Sequence, residues 1–329
     1  MKKMFKKVIC LVLCLLGVFV LASCNGEKEA KRITIIQFVS ASALDDARDG
    51  VIESLEAKGF VNGDNVEIVV QNPQGDFNTL GVMAQNAVKN SDLIIAIATP
   101  VAQAVKTECE KQMSDVPVLF TAVTDPVQSD LVASNEVPGA NITGTNDMNP
   151  VKEQIQLIKK LNPEAKKVGI IYTSSEANSL IQVNIAKEAA AKEGLEVATQ
   201  TVTNVNDIKT MIEALVSKGV DAIYLPTDNN ISSAITTVTS VTNEAGIPTI
   251  CGEEGMLTGN GTITLGINYK NLGIITGEMA AEVLNGADIS NMSVKGLTNF
   301  TLVINKKAAN EASINIPEAL LEEADRVIE

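Results

Sequence analysis

Two segments of this chain follow one plan, and that repeat constrains the fold more than any other feature. Asp221–Asn230 reads DAIYLPTDNN: an acidic residue, an apolar run over Ala222–Leu225, then an abrupt polar exit. Pro226 has no N–H to give to a ladder, so a strand stops there. Thr227, Asp228, Asn229 and Asn230 then lie just past its carboxyl end, ahead of a helical pattern from Ile231. Asp92–Pro100, DLIIAIATP, has the same acidic start, apolar strand and polar exit. Open α/β sheets bind ligands outside the carboxyl ends of their strands. Two matched strand ends therefore predict two matched domains with a ligand held between them.

The rest of the chain keeps this rhythm. Arg32–Val39 is an apolar run read as a buried strand, and Leu44–Lys58 has helical spacing closed by Gly59. Strands follow at Val66–Val70, Asp92–Ala98, Val116–Val123 and Asn141–Thr145, with a helix over Asn78–Lys89 and another starting at Pro100. Lys167–Thr173, KVGIIYT, restarts the pattern of RITIIQFV. Strands at Glu196–Val202, Asp221–Leu225 and Thr249–Gly252 then alternate with helices ending at Lys192, over Asp207–Lys218 and over Ser232–Ala245. The remainder is too short for a third domain: a strand at Thr262–Ile267, a helix over Tyr269–Leu284, a strand at Phe300–Ile304 and a terminal helix over Pro317–Ile328. These read as segments crossing between the halves near Asn146–Pro150, Leu265–Asn268 and Gly296–Phe300. The expected fold class is α/β, two doubly wound parallel-sheet domains joined by a three-segment hinge. The expected N-terminal lobe is 32–147 plus 268–297, and the C-terminal lobe 148–267 plus 298–329.

Residues 1–24 stand apart. Lys2, Lys3, Lys6 and Lys7 precede an uncharged apolar run over Val8–Val20, shorter than the roughly 20 residues of a membrane span. A basic start and a short apolar run form a secretory signal. It ends Leu21-Ala22-Ser23-Cys24, which resembles a bacterial lipobox, so Cys24 is the expected lipidation site and 25–31 a tether. The alternative is an ordinary signal peptide with a coincidental Cys.

Composition excludes several functions. There is no histidine, which removes His-based zinc sites and the usual Ser-His-Asp and Cys-His catalysis. No P-loop motif occurs. The net charge is −14, and four of the 26 basic residues lie in the leader, so nucleic acid and anionic lipid are poor partners. No cofactor or metal is expected. Beyond the leader only Cys109 and Cys251 remain, on dissimilar elements, and are expected as free buried thiols.

The strand ends and helix starts collect the candidate ligand-binding residues. The first half supplies Ser40, Ser42, Leu44, Thr99, Thr124 and Asp125. The second supplies Ser174, Ser175, Asn178, Thr227, Asp228, Asn229 and Glu253, with Glu254 beside it. Helix N-termini and hydroxyl caps suit a carboxylate, and an acid in the same cleft suits an ammonium. No Lys or Arg occupies these ends, which disfavours a phosphate or dicarboxylate. Each residue also has a purely structural reading: Thr99, Thr124 and Asp228 as helix caps, Ser174 and Ser175 as capping chemistry, Phe38 as core.

At these residues the chain resembles a known family. QFVSASALDDARDG (Gln37–Gly50), QNPQGD (Gln71–Asp76), IAIATPVAQA (Ile95–Ala104), FTAVTDPV (Phe120–Val127), PVKEQIQLIK (Pro150–Lys159), YTSSEANS (Tyr172–Ser179), YLPTDN (Tyr224–Asn229), GEEGM (Gly252–Met256) and FTLVINK (Phe300–Lys306) are similar to the ABC transporter substrate-binding lipoproteins of the tryptophan/tyrosine-type branch. Ala41 departs from that pattern, which often has a bulkier or polar residue nearby. The resemblance implies a type I periplasmic-binding-protein fold and a monomeric receptor, lipid-anchored on the outer face of the cell membrane. It implies a permease partner driven by a cytoplasmic ATPase, and an aromatic amino acid as ligand. By the same analogy Thr99 and Thr124 would hold the ligand carboxylate, and Asp228 or an acid of the GEEG loop its amine. A sugar or nucleoside receptor on the same fold, a surface adhesin or sensor, and a hydrolase are the alternatives. Scarce aromatics count against the sugar or nucleoside reading, and the lack of an activated nucleophile against the hydrolase.

Overall fold

The computed structural model describes residues 30–329; the leader, Cys24 and residues 25–29 of the expected tether lie outside the described residues. The first half places β1 (Lys31–Gln37), β2 (Val66–Gln71), β3 (Leu93–Ile97), β4 (Val118–Val123) and β5 (Ile142–Asn146) among α1 (Ser42–Ala57), α2 (Phe77–Asn90) and α3 (Thr99–Gln112). After α4 (Val151–Leu161) the second half places β6 (Lys167–Thr173), β7 (Glu196–Val202), β8 (Ala222–Leu225), β9 (Thr249–Cys251) and β10 (Ile263–Gly266). Its helices are α5 (Ala177–Lys192), α6 (Ile208–Ser217), α7 (Asn229–Ser233), α8 (Ile235–Glu244) and the single turn α9 (Gly255–Thr258). The chain ends with α10 (Tyr269–Leu284), β11 (Lys295–Gly296), β12 (Thr301–Asn305), α11 (Lys306–Glu311), α12 (Glu318–Glu323) and β13 (Arg326–Ile328).

The strands form two sheets, ordered β11-β5-β4-β3-β1-β2 and β13-β12-β10-β9-β8-β6-β7. Pairing is parallel except for β10 against β12. In each sheet the strand order reverses beside the first strand, at β1/β3 and at β6/β8, which is where such sheets open a ligand crevice. The repeated acidic residue has a structural role in both. Asp92 Oδ2 accepts from Arg32 N at 2.7 Å, and Asp221 Oδ2 accepts from Lys166 N and Lys167 N at 2.7 and 2.9 Å. Each Asp pins the start of the first strand to its neighbour, at the end of the sheet away from the crevice.

Helices cover both faces of each sheet, so strand residues such as Ile33, Ile35, Ile95, Ile170 and Ile223 are fully buried. Each side chain of this kind contributes roughly 1.5–3 kcal/mol through burial. Helix α10 returns to the first lobe and lies against α1 at backbone distance. A Cβ on Gly50 would stand 2.2 Å from the Lys270 carbonyl, and one on Gly273 2.0 Å from the Ala47 carbonyl. This fit holds the first residues of both helices at the cleft. Gly144 is needed at the β4–β5 irregularity, where a Cβ would meet the Phe120 carbonyl at 1.9 Å.

Three segments join the lobes: 147–150 between β5 and α4, 267–268 between β10 and α10, and 297–300 between β11 and β12. The first two are tied together. Tyr269 Oη donates to Asp147 Oδ2 at 2.6 Å, and Ile267 N donates to Asn149 Oδ1 at 3.2 Å.

Two elements differ from the sequence reading. The helix expected over Ser232–Ala245 breaks at Ala234 (φ −109°, ψ 21°), in a Ser/Thr-rich stretch where Ser233 Oγ bonds back to the Asn230 carbonyl. The terminal helix expected over Pro317–Ile328 stops at Glu323. Asp325 then exchanges hydrogen bonds with Leu302, and Val327 and Ile328, β-branched, extend the sheet as edge strand β13. Cys109 and Cys251 are buried free thiols.

Candidate functional site

The strand ends of the two lobes meet around a cavity of about 20 Å³, room for about one water molecule. From the first lobe and the crossings come Ala41, Ala43 and Leu44 at the start of α1, Ala122 near the end of β4 and Thr124 just past it, Asp147, and Tyr269 at the start of α10. The second lobe supplies Asn178, Thr227, Asp228, Asn229, Ser232 and Glu253. No Lys or Arg lines it.

The second lobe's wall is a closed network. Asp228 caps α7, accepting from Ile231 N at 3.0 Å. Its carboxylate also accepts from Thr173 N (2.6 Å), Thr173 Oγ1 (2.8 Å) and Ser179 Oγ (2.8 Å). Behind it Glu176 accepts from Asn229 N, Asn229 Nδ2 and Asn230 N at 3.0, 2.5 and 3.2 Å. The free N–H groups of α7 are thus met by two carboxylates. Burial and then the charge of Asp228 push Glu176 up to about 8, and burial raises Asp228 as well. The two acids titrate as a pair rather than singly, both raised by burial. Glu253 accepts from Ser232 Oγ at 2.8 Å and from Gly255 N, and burial pushes it up to about 7.

The first lobe's wall is bare by comparison. The N-cap of α1 is Ala41, in extended backbone (φ −148°, ψ 145°) with no side-chain cap. The N-cap of α3 is Ala98, at φ 87° and ψ 151°, a region that glycine occupies almost alone. Ala122, beside the β4–β5 irregularity, also has positive φ at 53°. The uncapped first turn of α1 leaves N–H groups and the positive end of the helix dipole at the cavity, which Ala41, Ala43 and Leu44 line. At the crossing, Asp147 is 4 % exposed; its Oδ2 takes the Tyr269 hydroxyl and its Oδ1 has no hydrogen-bond partner. Burial pushes it up to about 6, against the pull of the Tyr269 and Thr124 hydroxyls.

Of the residues expected from sequence, Leu44, Thr124, Asn178, Thr227, Asp228, Asn229 and Glu253 line the cavity. The others do not. Ser40 is exposed and accepts from Asn72 Nδ2 at 3.2 Å. Ser42 is the first residue of α1 rather than its cap, and borders an adjoining space with Asp46 and Glu254. Thr99 lies inside α3 rather than capping it, buried, with Oγ1 unpartnered. Asp125 closes its own turn, accepting from Val127 N and Gln128 N at 3.1 and 2.9 Å. Ser174 and Ser175 are exposed. Among the expected amine partners, Asp228 is at the cavity but already accepts four donors, so its carboxylate serves the wall. Sequence reading missed Asp147, Ala43, Ala122 and Ser232 at the cavity. It took 147–150 as a connector, although a lone Asp in a crossing that faces a ligand was the available signal.

Comparison with known proteins gives the family. The family model described as ABC transporter substrate binding protein matches residues 32–328. A tyrosine-binding protein of Clostridioides difficile is 38% identical over 317 residues, covering 92% of this chain and 90% of the relative. An ABC domain from Streptococcus pneumonia solved in complex with L-Trp is 38% identical, covers 91% of this chain and 100% of that one, and superposes with a TM-score of 0.86. The ligand-free, open structure of a substrate binding protein with adhesive properties from Clostridium difficile is 37% identical, covers 91% and 99%, and gives a TM-score of 0.66. The fold is that of the type I periplasmic binding proteins, and the matched family binds solutes rather than transforming them. The chain belongs to the ABC transporter substrate-binding proteins.

Proposed function

We propose that this chain is the extracytoplasmic receptor of an ABC importer for an aromatic amino acid, L-Trp or L-Tyr, with L-Phe the third candidate. One observation carries the reading: a single cavity, free of Lys and Arg, is lined by an uncapped helix start and by the buried carboxyl of Asp147 in the first crossing. The first suits a carboxylate and the second an ammonium, so the pair suits a zwitterion. The aromatic preference is supported by the tyrosine-binding and L-Trp-bound relatives.

The cycle is hinge closure without chemistry. At nearly equal identity the TM-score falls from 0.86 for the L-Trp complex to 0.66 for the open form, which supports a closed disposition of the lobes here. A cavity of about 20 Å³ admits no aromatic side chain, so entry requires the lobes to part about 147–150, 267–268 and 297–300. Ligand contact with both walls then shifts the population toward closure. A micromolar ligand needs about −8 kcal/mol net. In this reading residues 1–24 are a lipoprotein signal, Cys24 carries the anchor outside the cell membrane, and the closed monomer docks on a permease coupled to an ATPase.

A thermal-shift screen of protein refolded from denaturant tests the ligand. L-Trp, L-Tyr or L-Phe raises Tm by mass action, and leucine, sugars and nucleosides do not. A shift with a sugar or nucleoside alone contradicts the reading.

A further inference from the structure

The cavity's acceptors are unequally occupied. Asp228 takes four donors, and each Glu253 oxygen takes one. Asp147 Oδ1 and Asn178 Oδ1 have no partner within hydrogen-bond distance, the Thr124 hydroxyl standing near Asp147 without closing on that oxygen. Both side chains are nearly completely buried, at 4 % and 3 % exposed, and both line the same water-sized space. The Asn178 amide cannot turn over to offer a donor there, because its Nδ2 already donates to the Thr227 carbonyl at 2.8 Å. The cavity therefore presents two buried acceptors in want of a donor. Leaving such a group unanswered is costly, and one of the two is an acid. A small cationic group that only donates satisfies both, and an ammonium has three N–H bonds for the purpose.

We propose that the ligand's ammonium is held between Asp147 Oδ1 and Asn178 Oδ1. This rests on the amino-acid reading above and assigns the amine to a residue outside the strand ends where the sequence placed it. The position has a mechanical consequence. Asp147 stands in the first crossing and is tied through Tyr269 to the start of α10, just past the second. Asn178 stands near the start of α5 in the second lobe. One cation in this place joins the hinge to the moving wall, so recognition of the amine and closure are a single event. Thr227 gains a role as well: Gln182 receives its N–H at 3.1 Å and donates to its Oγ1 at 2.5 Å, which holds the carbonyl that orients Asn178.

The test is calorimetric titration of wild type, Asp147→Asn and Asn178→Ala. The ligands are L-Trp and L-Tyr and their deaminated analogues, indole-3-propionate and 3-(4-hydroxyphenyl)propionate. In wild type the amino acid binds far more tightly than its analogue. Asp147→Asn, which keeps the shape and an acceptor for Tyr269, lowers amino-acid affinity on the order of 100-fold and leaves the analogue's unchanged, collapsing that preference. Asn178→Ala lowers the preference on the order of 10-fold, as for one hydrogen bond to a charged group. The second variant decides the matter if the first fails to fold. A preference retained in either folded variant overturns the proposal while the receptor reading stands. A wild type that binds neither L-Trp nor L-Tyr overturns the ligand reading and the proposal with it.

Discussion

The two lobes share a plan and use it for opposite ends. At the helix that follows β8, the N-cap is Asp228, a carboxylate with four donors; at the helix that follows β3, it is Ala98, with strained backbone and no side-chain cap. The first helices differ likewise. α5 starts at Glu176, whose carboxylate bonds the start of α7, whereas α1 starts at Ala41, which bonds nothing through its side chain. The second lobe has spent its carboxylates on its own helix starts and makes a stiff wall. The first lobe leaves its helix starts without side-chain caps, and that of α1 lies at the cavity. Duplication supplies the frame, and the cap residues decide which half is scaffold and which half reads the ligand.

This contrast can be broken at its strongest point. Asp228→Ala strands two buried N–H groups and two hydroxyls, so it should cost about 3 kcal/mol or more and lower Tm by roughly 6–12 °C. Loss of binding in this variant would follow loss of the wall, and hydrogen exchange at Thr173 and Ile231 should rise without ligand. Full Tm retention together with lost binding would make Asp228 a ligand contact instead.

Giving the first lobe the second lobe's chemistry is the next largest effect. Ala41→Asp supplies the missing cap of α1 in backbone suited to it. Ligand-free Tm should hold, whereas amino-acid affinity should fall about 100-fold, because the new carboxylate takes the N–H groups and repels the ligand's own. Unchanged affinity by titration would show that α1 does not receive the carboxylate.

The buried acids predict a pH trend. Asp147, Glu253 and Glu176 are raised, mainly by burial, to about 6, 7 and 8. Between the ordinary carboxylate range and these values the folded chain holds protons that the unfolded chain has released. Their stabilising contribution is complete below about pH 4 and lost as pH rises through 6 to 8. Calorimetry without ligand should show Tm falling between pH 5 and pH 8. Affinity for an ammonium ligand should rise over the same interval as Asp147 ionises. The smallest effect expected is from Ala98→Gly, which relieves the backbone at φ 87° and should raise Tm by about 2–4 °C without altering affinity.

Much of this was legible in the sequence where the cause is local. The repeated Asp92 and Asp221, the proline and polar exit after Leu225, and the apolar strands follow from hydrogen bonding and burial within a few residues. The crossings were legible because too little chain remained for a third domain. What was missed depends on distance or on small side chains. Asp147 becomes a site residue only because Tyr269, 122 positions away, holds one oxygen and leaves the other bare. Thr99 looked like a cap by residue type, but the backbone puts Ala98 there, as it puts Ala41 between Ser40 and Ser42, and an alanine carries no chemical signal. Glu176, at the N-cap of α5, serves the start of α7 rather than its own helix.

The most direct test of the central claim, that a bare helix start and buried acids together read a zwitterion, is calorimetric titration of the wild-type protein with three ligands: L-Trp, tryptamine and indole-3-propionate. The account predicts tight binding of L-Trp and losses of about 100-fold or more for each analogue, since each leaves one wall unanswered. Equal binding of L-Trp and either analogue would contradict it.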